Sequence, residues 1–189
     1  MTIDATDLLI LRHAPAMAEG RLAGRRDVPA DLGDPARLAA LAAAIGPVAQ
    51  VIASPAQRCV QTARALWPDA AIATDPRLWE QDFGAWEGTV PPDLGPLPRA
   101  DLAAHTPPGG ESFAAMCARV TPALLDHAAQ PGRTVIVAHA GTVRAGLALA
   151  LGDTAAAMAF VIDPLSRTRL IPAGGDWAIA GVNLPPPPC

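Results

Sequence analysis

Two hydrophobic patterns alternate along this chain: short apolar runs of three to five residues, and longer Ala- and Leu-rich stretches at helical spacing. Apolar runs at residues 8–11, 50–53, 134–138, 159–162, 169–171 and 177–180 predict strands. Between several of them, residues 35–44, 56–66, 112–129 and 142–151 predict helices. Pro35 opens the first helix and Gly46 lies just past its end, the asymmetry that helix termini favour. Ser112 is a candidate N-cap for the third, and Gly152 closes the last. Strand followed by helix, repeated, predicts an α/β fold with a mostly parallel sheet. At 189 residues the chain is long enough for one full core and short for two, so a single domain over residues 1–189 is expected.

One segment breaks the alternation. Residues 89–110 are rich in proline and glycine and predict an irregular excursion over the surface. Excursions of this length are usually functional or mobile, so a lid or specificity wall and a plain spacer are both open readings. From residue 184 the chain is polyproline-like, and a frayed tail is expected.

Composition narrows the picture. The chain is 51% hydrophobic and 4% aromatic, with no tyrosine, so its core must be built from Ala, Leu, Val and Ile. Eighteen acids oppose 14 bases for a net charge of −4, and every base is arginine. That balance argues against a nucleic-acid partner. Acids stand at residues 4 and 7, where a secretory leader would carry bases, and no apolar stretch approaches the roughly 18 residues of a membrane span. A soluble, cytoplasmic protein with no membrane partner is expected. Cys59, Cys117 and Cys189 are odd in number and lack metal-ligand spacing, which predicts reduced thiols and no metal. Cys189 follows four prolines, and a prenylation signal needs its cysteine further from the end.

The candidate chemistry lies where strands end. Leu8-Leu-Ile-Leu11 empties into Arg12-His13, and the run at 134–138 empties into His139-Ala140-Gly141. Ser54 follows the run at 50–53 in the same way. In open parallel sheets ligands bind outside the carboxyl ends of the strands, so His13, Ser54 and His139 are expected along one edge. Ser54-Pro55-Ala56-Gln57-Arg58 places Arg58 in the first turn of a helix, whose amino terminus already favours an anion. Two guanidiniums and two imidazoles converging on one spot suit a phosphoryl group. His105 and His127 lack such neighbours and read as surface residues.

Two of the chain's four glutamates fall in Trp79-Glu80-Gln81-Asp82-Phe83-Gly84-Ala85-Trp86-Glu87-Gly88. Phosphoryl transfer from an ester leaves an alkoxide, a poor leaving group unless a nearby acid protonates it. Glu80 is a candidate for that acid, because Trp79, Phe83 and Trp86 would desolvate it and raise its pKa while the cationic pocket would lower it. An aromatic turn packed on the core is the other reading of this segment.

Taken together, these blocks resemble the histidine phosphatases, the phosphoglycerate mutase-like superfamily. Arg12-His13-Ala14 is similar to the family's Arg-His-Gly signature, and residues 54–63 resemble Ser-Pro-Leu-x-Arg-Ala-x-Gln-Thr-Ala. Residues 80–88 are similar to Glu-x-x-Phe-Gly-x-Trp-Glu-Gly, and His139-Ala140-Gly141 resembles the second histidine motif. Gly110-Glu111-Ser112 matches a recurrent family element. The resemblance implies a three-layer α/β/α fold and a nucleophilic His13 that forms a phosphohistidine. It implies that Arg12, Arg58 and His139 hold the phosphoryl oxygens, that Glu80 exchanges the proton, and that no cofactor or metal is needed. His13 would then need an acceptor for its second ring nitrogen.

The chain departs from the family pattern at Ala14, at Ala16, where a phosphate-binding threonine is common, and at Glu19, where an asparagine often lies. Arg21 and Arg26 lie close to that loop; they read as solvated surface arginines, with contact to an anionic substrate as the other possibility. The short interval between the Glu80 motif and His139 resembles the compact phosphatase branch, and the Glu-x-Asp-Phe-Gly-x-Trp-Glu-Gly run resembles its α-ribazole phosphatases of cobalamin synthesis. The expected partner is a small phosphorylated metabolite. A phosphoglycerate mutase, a phosphohistidine protein phosphatase and a phosphate-sensing module are the competing readings.

Overall fold

The computed structural model describes residues 7–187. The leader-type reading of the first six residues and the reading of Cys189 lie outside them. Six strands form one sheet in the order β3-β2-β4-β1-β5-β6: β1 Asp7–Arg12, β2 Gln50–Ala53, β3 Ile72–Thr74, β4 Arg133–Ala138, β5 Arg167–Ala173 and β6 Asp176–Leu184. The first four are mutually parallel; β5 runs antiparallel to β1 and forms a hairpin with β6.

Side-chain alternation along the central strands assigns the two faces. Leu8, Ile10, Ile52 and Ile136 point to one side, where helices α4 (Phe113–Ala128) and α5 (Ala140–Leu151) cover them together with the shorter α3 (Arg99–Ala104) and α6 (Thr154–Ala157). Leu9, Leu11, Val51, Val135 and Val137 point to the other, under α1 (Pro35–Ile45) and α2 (Gln57–Leu66). The result is the α/β/α sandwich expected from the sequence. Asp34 caps α1 and Ser112 caps α4, each side chain accepting from a backbone N–H of the first turn. Among the described residues, no helix is long and apolar enough to cross a membrane.

Four departures from expectation have physical causes. Residues 159–162 form no strand, because the Phe160 and Ile162 carbonyls accept from the guanidiniums of Arg144 and Arg12 instead of from a neighbouring strand. The strand β3, too short and too polar to stand out, exists by pairing with β2. Helix α3 sits inside the excursion at 89–110, where flanking prolines hide it. At the carboxyl end, Leu184 still belongs to β6 and pairs with Arg167, whose guanidinium also donates to the Pro185 carbonyl.

Candidate active site

Helix α5 begins at Ala140, two residues earlier than its apolar pattern suggests, and this makes His139 its N-cap residue. Its neighbours on the sheet edge follow from strand order. Strands β2, β4 and β1 are adjacent, so Ser54, His139 and His13 emerge side by side at their carboxyl ends. Arg58 enters from the first turn of α2 and is 1% exposed, an unusual state for a guanidinium that requires full pairing. Its Nη2 donates to the carbonyls of Ala23 (2.7 Å) and Gly24 (3.0 Å), and its Nη1 to that of Arg26 (3.2 Å). Two further contacts face the histidines: Nε lies 3.3 Å from His13 Nε2, and Nη2, shared with those two carbonyls, also lies 3.2 Å from His139 Nδ1.

These contacts fix both tautomers. The Ala14 carbonyl can only accept, so His13 Nδ1, 2.6 Å away, carries the proton. That leaves Nε2 with its lone pair available, and the acceptor the nucleophile needs is the backbone of the next residue. His139 Nδ1 accepts from Arg58, so its Nε2 carries the proton and donates to Ser54 Oγ at 2.8 Å. The two rings meet edge to face with centroids 5.2 Å apart.

Burial disfavours a charge on either ring, and the neighbouring guanidiniums reinforce this. Burial first, then Arg58 and Arg12, pull His13 from 6.5 down to about 3, against the opposing hydrogen bond to Ala14. His139 is held well below 6.5 by burial, with His13, Arg58 and Arg12 adding to it. Both imidazoles are thus neutral at neutral pH. Because the unfolded chain protonates them near 6.5 and the folded chain does not, the unfolded state binds more protons between that pH and about 3. Stability contributed by these rings is complete above pH 6.5 and declines as pH falls toward 3. Thermal unfolding followed from pH 7.5 to 4 is expected to show Tm falling on acidification, with a shallower fall in His13→Asn; an equal slope would remove His13 from the cause.

Arg12 completes the cationic wall. Its Nη1 donates to the Ile162 carbonyl, while its Nε is buried without a partner. Burial lowers its pKa and the nearby Glu80 carboxylate opposes that. Glu80 accepts from the backbone N–H of Gly141 at 3.2 Å and of Gln81 at 3.0 Å. A Cβ at Gly141 would overlap the Glu80 carboxylate, which explains glycine in His139-Ala140-Gly141. All five residues expected from the sequence, Arg12, His13, Arg58, Glu80 and His139, are therefore brought close together at this end of the sheet.

Several supports escaped the sequence reading. Glu87 accepts from the backbone N–H groups of Gly24 (3.0 Å), Arg25 (2.7 Å), Arg26 (3.2 Å) and Phe83 (3.2 Å), so it clasps the loop whose carbonyls aim Arg58. Thr62 Oγ1 accepts from the Ala14 N–H and fixes the turn after His13. Arg119 pairs with Glu111 and donates to the carbonyls of Trp79 and Glu80, while Glu111 accepts from the Asp82 N–H. The Gly110-Glu111-Ser112 element thus anchors the strip that carries Glu80. Sequence distances of 29 to 63 residues hid most of these clasps, although Glu87, Thr62 and Glu111 each stood inside a recognised motif.

The expectations for peripheral residues are corrected in part. Arg21 is exposed and donates to the Gly88 carbonyl, and Arg26 is exposed with its carbonyl turned to Arg58. Glu19 sits at φ +54° in a tight turn. His127 is half-buried and bonds Asp75 at 3.0 Å, so it is a structural residue and not a free surface one. His105 is half-buried too, stacked on Trp86 with centroids 5.3 Å apart. Cys59 and Cys117 are buried free thiols, both pushed up by burial, Cys117 to about 12. Among the described residues, no group of three or more His, Cys, Asp or Glu side chains is placed to hold a metal ion.

Known proteins are similar to this chain in sequence and fold. The bifunctional protein Rv2228c of Mycobacterium tuberculosis is 37% identical over 138 residues, covering 61% of this chain; the chain spans 35% of that relative's length. Among solved structures, the mycobacterial glucosyl-3-phosphoglycerate phosphatase Rv2419c superposes with a TM-score of 0.81 at 25% identity, over 95% of this chain and 99% of that one. A provisionally assigned α-ribazole-5'-P phosphatase of Escherichia coli shares the fold, with a TM-score of 0.80 at 21% identity over 96% and 98% of the two chains. The family model of histidine phosphatases matches residues 8–185, which contain every residue of the pocket. This chain, with two neutral imidazoles and a buried guanidinium at the ends of β1, β2 and β4, belongs to the histidine phosphatase superfamily, branch 1.

Proposed function

We propose that the chain hydrolyses a small phosphomonoester in two steps through a phosphohistidine at His13. In the first step the Nε2 lone pair attacks phosphorus, the P–O ester bond breaks, and Glu80 gives its proton to the departing alcohol oxygen. In the second, Glu80 takes a proton from water, whose oxygen displaces Nε2 and releases inorganic phosphate. Arg12, Arg58 and His139 Nε2–H bear the charge on the equatorial oxygens, and the amino terminus of α5 adds its partial positive charge. A donor from Arg58 or His139 turned toward phosphate would exchange its present partner for a phosphoryl oxygen.

The observation that carries this reading is the His13 Nδ1 to Ala14 carbonyl bond at 2.6 Å, which leaves Nε2 unprotonated and facing the guanidinium. A regulatory module that only senses phosphate would have no use for a nucleophile held in one tautomer, nor for a carboxylate fastened by two backbone donors beside it.

For the ester itself, the resemblance to α-ribazole phosphatases makes α-ribazole 5'-phosphate a candidate, and the solved relatives add glucosyl-3-phosphoglycerate. Steady-state kcat/KM across those two esters, phosphoserine and 3-phosphoglycerate is expected to single out one by at least about tenfold. Hydrolysis of none of them above the rate of the His13→Ala variant would count against the metabolite-phosphatase reading.

A further inference from the structure

Next to the cluster of His13, Arg58 and Glu80 lies a cavity of about 190 Å³, lined by Gln81, the neighbour of Glu80, and the excursion at 89–110 forms much of its wall. Three segments that carry the phosphate cradle meet there. Leu22 precedes the carbonyls that hold Arg58, Gln81 directly follows Glu80, and Met158 precedes the carbonyl-rich turn that holds Arg12. The cavity is therefore placed where the alcohol half of an ester would lie once its phosphate is bound.

Its lining is almost wholly apolar: Phe83, Trp86, Leu94, Leu102 and Phe113 contribute, with prolines between them. Gln81, His105 and the indole N–H of Trp86 are the polar side-chain groups among the lining residues. Gln81 donates its amide to the Glu111 carbonyl at 2.9 Å, which orients it. His105, at the end of α3, lies parallel to Trp86 within 13°, and its Nε2 is buried with no hydrogen-bond partner. A ring nitrogen left unpaired is unfavourable, and because Nε2 is closed to water in this conformer, a turn of the ring would be needed to bring it to a ligand atom in the cavity. No arginine lines the cavity, so a substrate carboxylate there would be desolvated without a fixed counter-charge. For scale, a dry apolar cavity of roughly 150 Å³ accepts benzene.

Resting on the phosphomonoesterase reading above, we propose that this cavity binds the leaving group, that the substrate is the phosphomonoester of an uncharged aromatic alcohol carrying a hydrogen-bonding heteroatom, and that His105 reads that heteroatom. The excursion is then a specificity wall. Polyhydroxylated and carboxylate-bearing alcohols without an aromatic ring are disfavoured because their polar groups would outnumber the few partners available, so of the esters named above only α-ribazole 5'-phosphate offers a group that this cavity would take.

Equilibrium binding of non-hydrolysable phosphonates to the intact protein tests this independently of turnover. Benzylphosphonate is expected to bind at least about tenfold tighter than ethylphosphonate, 2-carboxyethylphosphonate no tighter than ethylphosphonate, and 3-pyridylmethylphosphonate tighter than the benzyl compound. His105→Phe keeps an aromatic ring for the stack and should abolish the pyridyl advantage alone. Leu94→Arg, on the irregular segment, should cut the benzyl preference below threefold with ethylphosphonate unchanged. Benzyl and ethyl compounds within threefold of one another in the parent protein would overturn the cavity assignment, and a pyridyl advantage surviving in His105→Phe would overturn the role of His105. Benzyl preference in a protein that hydrolyses no ester would instead sink the phosphatase reading and leave the cavity standing.

Discussion

Replacing His13 with alanine is expected to lower kcat on every phosphomonoester by a factor on the order of 10⁴ or more, because removal of a covalent nucleophile eliminates the route and not one contribution to it. No second nucleophile stands ready in its place. His139 presents its protonated nitrogen to Ser54 and its lone pair to Arg58, and the Cys59 thiol is buried and pushed away from the thiolate form. The fold should tolerate the change, since the ring lies at the edge of the sheet and its loss orphans one Arg58 donor, which water entering the vacated space can satisfy. Tm compared between parent and variant separates lost chemistry from lost structure. A variant that retains a tenth of the parent rate on p-nitrophenyl phosphate would remove His13 from the mechanism.

Glu80→Gln should divide substrates by leaving group. On an alkyl phosphate the departing alkoxide needs a proton, and loss of the acid is expected to cost about 10³ in kcat, within the span of general acid catalysis. On p-nitrophenyl phosphate the phenolate departs unaided, and the loss should stay near tenfold. The carboxylate now accepts from the Gly141 and Gln81 N–H groups, so the amide keeps one acceptor there and turns its NH2 toward the other donor. That perturbation acts on both substrates alike, which is why the ratio of the two losses carries the information. Equal losses on alkyl and aryl esters would assign Glu80 a positioning role only.

Much of this site was legible before any coordinates. Strand-end placement alone put His13, Ser54 and His139 on one edge, the first turn of the following helix added Arg58, the need for a leaving-group acid pointed to Glu80, and the family blocks supported both. The reason is local: a strand that alternates Leu8, Leu9, Ile10 and Leu11 between two cores must stop where polar residues begin, and Arg12-His13 is that point. What stayed hidden depends on the path of the backbone. The acceptor for His13 is a carbonyl, which has no residue identity, and the Arg58 cradle is three more carbonyls held by Glu87 from over 60 residues away. The expected strand at 159–162 failed because an apolar run becomes a strand only where a neighbour pairs with it. His105 was misjudged for a related reason. In the proline-rich segment no periodicity relates one position to the next, so nothing in the sequence announced its stack on Trp86.

The most direct test of the account is the covalent intermediate. Protein mixed with a ³²P-labelled phosphomonoester and quenched within a turnover is expected to carry label that survives base, is lost in acid, and maps to the peptide containing His13 at up to one phosphoryl group per chain. Glu80→Gln, slowed in both steps, should still accumulate the same species from p-nitrophenyl phosphate, and His13→Ala should carry none. Label on any residue other than His13, or full turnover with no labelled protein at any quench time, would contradict the mechanism.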